Sequence, residues 1–159
     1  MNRSDPPEDI SRCRFLIIGS GIAGLWTALH LSPHGPVTVL TKGQLSETNT
    51  HYAQGGIAVA LPTADSPELH RGDTLEAGAG LCDEPAVSVL TREGPDIVRE
   101  LIARGAQFDR LNGELQYGRE AAHGRNRILH SHGDATGAEV QRTATEAVAK
   151  LPTITSPSA

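Results

Sequence analysis

The chain has 159 residues, 38% of them hydrophobic, and 14 basic side chains against 19 acidic ones give a net charge of −5. That is one domain's worth of chain, long enough if complete to bury roughly 68–70% of its unfolded surface. The negative balance argues against nucleic acid or an anionic membrane as a partner, and no apolar run approaches the roughly 20 residues that a membrane span needs.

Residues 1–11 are polar and read as a disordered lead rather than a signal sequence, so residues 12–159 are taken as the N-terminal part of an incomplete domain of a cytoplasmic protein. Cys13 and Cys82 stand far apart and match no metal spacing, which predicts free thiols. The first element is an apolar strand, Phe15-Leu16-Ile17-Ile18, running straight into Gly19-Ser20-Gly21-Ile22-Ala23-Gly24. Each glycine there has its own physical reason. Gly19 permits a tight turn, Gly21 lets main chain approach a pyrophosphate, and Gly24 lets the next helix pack on the strand. Ile22, Leu25, Trp26 and Leu29 then form one apolar stripe at helical spacing, ended by Pro33, Gly35 and Pro36. Val37 to Leu40 supplies a second short strand. Strand, glycine turn, helix and strand make a βαβ unit, the start of an α/β, Rossmann-like dinucleotide-binding domain.

The stretch from Gly43 to Pro67 has no clear period, and a loop that long inside a compact domain is usually functional. A helix is expected from Glu68 to Ala79, and Asp83 caps another with Pro85 in its first turn. Gly94-Pro95 is expected to interrupt that helix, with a new one from Pro95 to Arg104 and Gly105 at its end. Asn112-Gly113, between Phe108–Leu111 and Leu115–Tyr117, predicts a small β-hairpin. A polar loop from Gly118 to Gly133 carries Arg119, Glu120, His123, Arg125, Arg127, His130 and His132. Thr136 and Glu139 read as a capping box for a helix with Val140, Ala144, Ala147, Val148 and Leu151 inward, ended by Pro152 before a strand at Thr153 to Thr155.

The stretch Thr48-Asn49-Thr50-His51-Tyr52-Ala53-Gln54-Gly55-Gly56-Ile57 follows the second strand, and its paired glycines permit close main-chain approach to a ligand. Further motifs follow in order: Asp73-Thr74, Gly78 to Asp83, Arg119-Glu120-Ala121-Ala122-His123, Arg127 to His130, and Asp134-Ala135-Thr136-Gly137. Together they resemble the flavoprotein family of succinate dehydrogenase, fumarate reductase and L-aspartate oxidase, over nearly all of residues 14–151.

That resemblance implies FAD, held by Gly19, Ser20, Gly21, Ile22, Ala23 and Gly24, by Lys42, and by Asn49, Thr50, His51, Tyr52, Ala53, Gln54, Gly55 and Gly56. Covalent members of the family carry a flavin-binding histidine where this chain has Asn49, and His51 is out of register, so noncovalent FAD is implied. Glu120, in its Arg-Glu-Ala-Ala-His run, resembles the aspartate oxidase form: a carboxylate has an ammonium to bind in aspartate and nothing to bind in succinate. L-aspartate is then the implied substrate, oxygen or fumarate the acceptor, iminoaspartate the product, and quinolinate synthase a partner in NAD synthesis. A fumarate reductase or succinate dehydrogenase flavoprotein and a non-catalytic nucleotide-binding fragment stay open as alternatives. Lys42 alone would also suit the 2′-phosphate of NADP, and Glu47 falls late for a ribose carboxylate. The family's proton-accepting arginine, capping domain and C-terminal helices have no counterpart before Ala159, so the segment alone is expected to bind FAD weakly and to turn nothing over.

Other features have plainer readings. His123, His130 and His132 lack a fourth ligand at a usual spacing, so no metal is assigned. Arg71-Gly72-Asp73 falls within an expected helix and reads as a chance tripeptide, while Trp26 reads as core. Arg125 and Arg127 read as solvated charges that could steer a dicarboxylate.

Overall fold

The computed structural model describes residues 13–156; residues 1–12, which include the lead expected over 1–11, and residues 157–159 lie outside the described residues. The chain opens with β1 (Phe15–Ile18), α1 (Ile22–Leu31), a 3-10 turn at Ser32–His34, and β2 (Val37–Leu40). After a long loop come β3 (Ile57–Ala58), α2 (Pro67–Ala77) and α3 (Glu84–Ala103). Four short strands follow, β4 (Arg110–Leu111), β5 (Glu114–Leu115), β6 (Tyr117–Gly118) and β7 (Ile128–Leu129), and then α4 (Thr136–Ala149) and β8 (Ile154–Thr155).

β1 and β2 are parallel, paired residue for residue from Phe15↔Val37 to Ile18↔Leu40, and β8 joins the far side of β2 in the order β1-β2-β8. One face of this sheet is covered by α1 and α4 through Leu25, Ala28, Leu29, Val37, Val39, Ala144, Ala147 and Val148. Leu25 is fully buried there, which is worth about 1.5–3 kcal/mol relative to exposure. Trp26 packs against this cluster, as its place on the α1 stripe predicts. The opposite face is uncovered among the described residues, with Leu16 58% and Ile18 81% exposed.

A second, antiparallel sheet has the order β3-β7-β6. Its core joins Val59, Val98, Leu101, Phe108, Leu129 and Val140, so the same α4 closes both sheets. The hairpin is β4 and β5, with Asn112 at φ 53° and Gly113 at φ 88°, the two positive values a type I′ turn needs. Its expected second arm is shared: Leu115 pairs with Arg110, whereas Tyr117 pairs with Leu129 in the other sheet.

Two expectations about the helices are corrected. Gly94-Pro95 does not break the chain; α3 runs through it for 20 residues. Pro95 removes one helical hydrogen bond at a cost of about 3 kcal/mol. Val87, Thr91, Pro95, Val98 and Leu101 nevertheless form one buried stripe, so tertiary burial outweighs the local penalty. Asp83 caps this helix as predicted, its carboxylate accepting from the Ala86 N–H at 2.9 Å. Thr136 and Glu139 form no capping box, because Ala135 occupies the N-cap and α4 begins at Thr136 itself. Both side chains are drawn into tertiary bonds: Thr136 Oγ1 accepts from Ser131 N at 3.1 Å, and Glu139 accepts from Gln107 N at 2.6 Å and from Arg142.

Candidate cofactor site

The carboxyl ends of parallel β1 and β2 open onto a cavity of about 770 Å³ lined by Ile18, Gly19, Ser20, Leu40, Thr41, Lys42, Glu47, Thr48, Asn49 and Tyr52. Gly19 makes the turn at φ 105°, its N–H donating to Leu40 O at 2.8 Å. Gly24 sits so close that a Cβ there would overlap the Gly19 carbonyl oxygen, which gives the third glycine of the motif its physical reason. Gly21 caps α1 without a side-chain hydrogen bond, so the helix presents amide N–H groups to the turn. A helix N-terminus of this kind favours an anion.

The Thr48–Gly56 loop meets that turn directly. Thr50 Oγ1 accepts from the Ile22 N–H at 3.1 Å, and it would lie 3.4 Å from a Cβ on Gly21. Beyond Thr50 only Tyr52 lines the main cavity, and the rest of the loop borders others. Ala53, Gln54, Gly55 and Gly56 line a smaller one of about 180 Å³ with Thr136, Gly137 and Val140, and His51 lines a third with His132 and Arg142. The Gly55 N–H donates to Asp134, and a Cβ on Gly56 would come within 2.8 Å of both His130 Nε2 and Leu129 O.

Three residues around this site have roles that sequence reasoning does not assign. Gln141 is 1% exposed; its amide donates to Ser20 O at 2.9 Å and to Leu45 O at 2.8 Å, and its Oε1 accepts from Thr48 at 3.0 Å. One side chain therefore fastens the glycine turn to the following loop. A glutamine beside Val140 and three residues before Ala144, on the apolar stripe of α4, is the signal that marks it. Gly137 is the second: its N–H donates to Ala53 O at 3.1 Å, and a Cβ would overlap the carbonyls of Thr50 and Ala53. Glu47 is the third, on the cavity wall and accepting from the Tyr52 hydroxyl at 2.5 Å.

Glu120 stands apart from the main cavity, after β6. Its Oε1 lies 3.1 Å from His130 Nε2, so it pairs with neither Arg119 nor Arg127. The reading of Arg127 as a solvated charge is corrected. Its side chain is fully buried, bidentate to Asp65 with two bonds of 2.7 Å and bonded to Asp73 at 2.7 Å. Asp73 also accepts from the Gly124 N–H at 2.6 Å. That amide, with Arg127 adding to it and outweighing burial, holds the Asp73 carboxyl below its ordinary range. Burial first, then the charges of Arg127 and His123, pushes the neighbouring His70 below the usual histidine range. Arg119 and Arg125 remain at the surface, lining a cavity of about 310 Å³.

Residues 14–158 match the family model described as FAD binding domain. The chain belongs to the FAD-binding-domain family. Among relatives of this FAD-binding domain, an L-aspartate oxidase of Streptomyces coelicolor is 53% identical over 135 residues, covering 84% of this chain and 23% of that protein. A chloroplastic L-aspartate oxidase of Nicotiana tabacum is 50% identical over 141 residues, 88% of this chain and 22% of its own length. The chain thus spans under a quarter of these relatives. Among solved structures, the Sdh1 complex of Mycobacterium smegmatis in its apo form superposes with a TM-score of 0.82 at 31% identity, covering 91% of this chain and 27% of that one.

FAD is the cofactor of this domain, and the residues present fit it. The helix N-terminus with a bare glycine at its N-cap, the Cβ-free contact of Gly24 with Gly19, and the cavity at the strand ends suit a dinucleotide pyrophosphate. Among the described residues no helix is long and apolar enough to cross a membrane.

Proposed function

We propose that residues 12–159 are the N-terminal part of the FAD-binding domain of an L-aspartate oxidase. The whole protein converts L-aspartate to iminoaspartate with oxygen or fumarate as acceptor, and quinolinate synthase consumes the product in NAD synthesis. The contact of Thr50 with the Ile22 amide supports the flavin half of this reading, because it ties the loop that leads to Gly55-Gly56 to the glycine turn. The aspartate half rests on Glu120 and on 53% identity to a relative named for that activity.

Two-electron oxidation of the amino acid is the chemistry that bound FAD supplies. This chain's own residues hold and orient. Gly19 to Gly24 and the α1 N-terminus would receive the pyrophosphate, Lys42, Asn49 and Tyr52 would flank the nucleotide, and Thr50 to Gly56 would border the flavin. Glu120 accepts from the substrate ammonium, a charge-assisted bond worth roughly 1.5–3 kcal/mol. Asn49 is consistent with noncovalent FAD. Two free thiols, Cys13 and Cys82, support a reducing compartment such as the cytoplasm, although the tobacco relative is named as chloroplastic.

A helix N-terminus contributes only about 0.3–1 kcal/mol to an anion, up to about 2 when partly buried, so residues 1–159 alone should retain little FAD and show no turnover. A stable yellow chain after purification would contradict that expectation. The activity is tested by grafting residues 14–151 into the Streptomyces coelicolor relative in place of its matching segment. The graft should bind FAD and oxidise aspartate, and Gly24→Ala should abolish both. Glu120→Gln should raise the KM for aspartate about 10-fold to 100-fold more than that for fumarate. Equal effects on the two would favour the reading as a fumarate reductase or succinate dehydrogenase flavoprotein, and a graft without flavin would favour a non-catalytic fragment.

A further inference from the structure

His130 follows directly on β7, the middle strand of the second sheet, and its ring is flanked by glycines from both neighbouring strands. Gly118 on β6 would put a Cβ 3.3 Å from His130 Cε1, and Gly56, just before β3, would put one 2.8 Å from His130 Nε2. Two bare positions therefore leave the space that the imidazole occupies. From there its Nε2 reaches Glu120 Oε1 at 3.1 Å.

Glu120 needs such a partner. Its side chain is 55% exposed and follows β6 by two residues, so without a contact it would sample several rotamers. The imidazole is only 28% exposed and is confined by its neighbours. An imidazole that carries its proton on Nε2 donates to Oε1. Among the described residues Oε2 has no partner, and it remains available to an incoming cationic donor.

We propose that His130 is the positioning residue for Glu120: it fixes one carboxylate oxygen beside the Gly55–Gly56 loop and so aims the other at the ammonium of an amino dicarboxylate. Selection of an amine-bearing substrate is then a property of the pair, and Gly56 and Gly118 are required as the space for the ring. This rests on the reading of Glu120 given above.

The contact is tested first in the 159-residue chain by long-range proton–nitrogen NMR of the histidines. His130 should show a protonated Nε2 whose resonance moves in Glu120→Gln; an Nδ1-protonated ring, or no response, overturns the proposal. Its consequence is tested in the flavin-loaded graft. His130→Leu should raise the KM for aspartate about tenfold more than that for fumarate, with little change in kcat for aspartate. His130→Gln, which keeps a donor, should recover most of that loss, a rescue that a merely structural role would not give. If Glu120→Gln shifts the aspartate KM and His130→Leu does not, the inference fails and the reading of Glu120 stands. If neither shifts it, the reading of Glu120 itself has failed.

Discussion

Replacing Arg127 by methionine removes a guanidinium while keeping much of its volume, and the structure sets the size of the effect. Asp65, its bidentate partner, has a side chain only 1% exposed, and the Ser66 N–H at 2.9 Å is its other hydrogen bond. In Arg127→Met that carboxylate is left buried without a counter-charge, a loss of about 3–5 kcal/mol. Asp73 is 24% exposed and keeps the Gly124 amide, so Asp73→Asn should cost less, about 1–2 kcal/mol. Arg127 ties a loop to two aspartates 62 and 54 residues earlier, in and just before α2, so the loss should appear as global unfolding rather than local fraying. Urea titrations followed in parallel by Trp26 fluorescence and far-ultraviolet circular dichroism measure it. The double variant Asp65→Leu/Arg127→Met should recover most of the loss, because an apolar pair leaves no charge stranded. A loss below about 1 kcal/mol in Arg127→Met, or a double variant as unstable as the sum of the singles, would refute the view that the buried charge dominates.

Two further perturbations follow from the same geometry. His70 has a folded-state pKa below its unfolded value, so the unfolded chain binds more protons between the two; stability is fully present above about pH 6.5 and falls as pH drops towards the depressed value. Urea midpoints between about pH 5 and pH 7 should show this slope, and His70→Gln should flatten it; an equal slope in the variant would show that His70 is not its source. Gly137→Ala would press on the carbonyls of Thr50 and Ala53 and should destabilise by about 1–3 kcal/mol. Gly72→Ala, in α2 where a Cβ meets nothing within 4 Å, should stabilise by about 0.5–1 kcal/mol. Thermal and urea unfolding compare the two, and a Gly137→Ala chain as stable as the parent would show that the loop yields without cost.

What the sequence reveals and what it hides divide along the range of the interaction. The βαβ start, the Asp83 cap and the Asn112-Gly113 turn are each decided by residues a few positions apart, and each is legible from spacing alone. The continuation of α3 through Pro95 depends on a buried stripe that no local propensity records. Thr136 and Glu139 have the spacing of a cap, yet they bond Ser131 and Gln107 because α4 enters the fold beside those segments. Arg127 is the sharpest case: in a loop with other arginines it looks solvated, and only the approach of Asp65 and Asp73, 62 and 54 residues earlier, makes it a core residue. In the candidate site the glycine turn is readable because bare main chain is required there. Gln141 shows only as a polar residue on the apolar stripe of α4, and its partners, two carbonyls and the Thr48 hydroxyl, lie in segments distant in sequence.

Among the described residues the sheet order places the strand that carries the glycine turn at a margin, with β2 and β8 both to one side of it. A further parallel strand joining at that margin by a right-handed crossover would send its connection over the face opposite α1 and shelter Leu16, Ile18 and Leu40. The turn would then sit at the fork where successive strands depart in opposite directions, which is where open α/β sheets build ligand crevices. Completing the sheet and walling in the nucleotide would then be one event, and cofactor uptake and strand addition would be thermodynamically linked, each reinforcing the other.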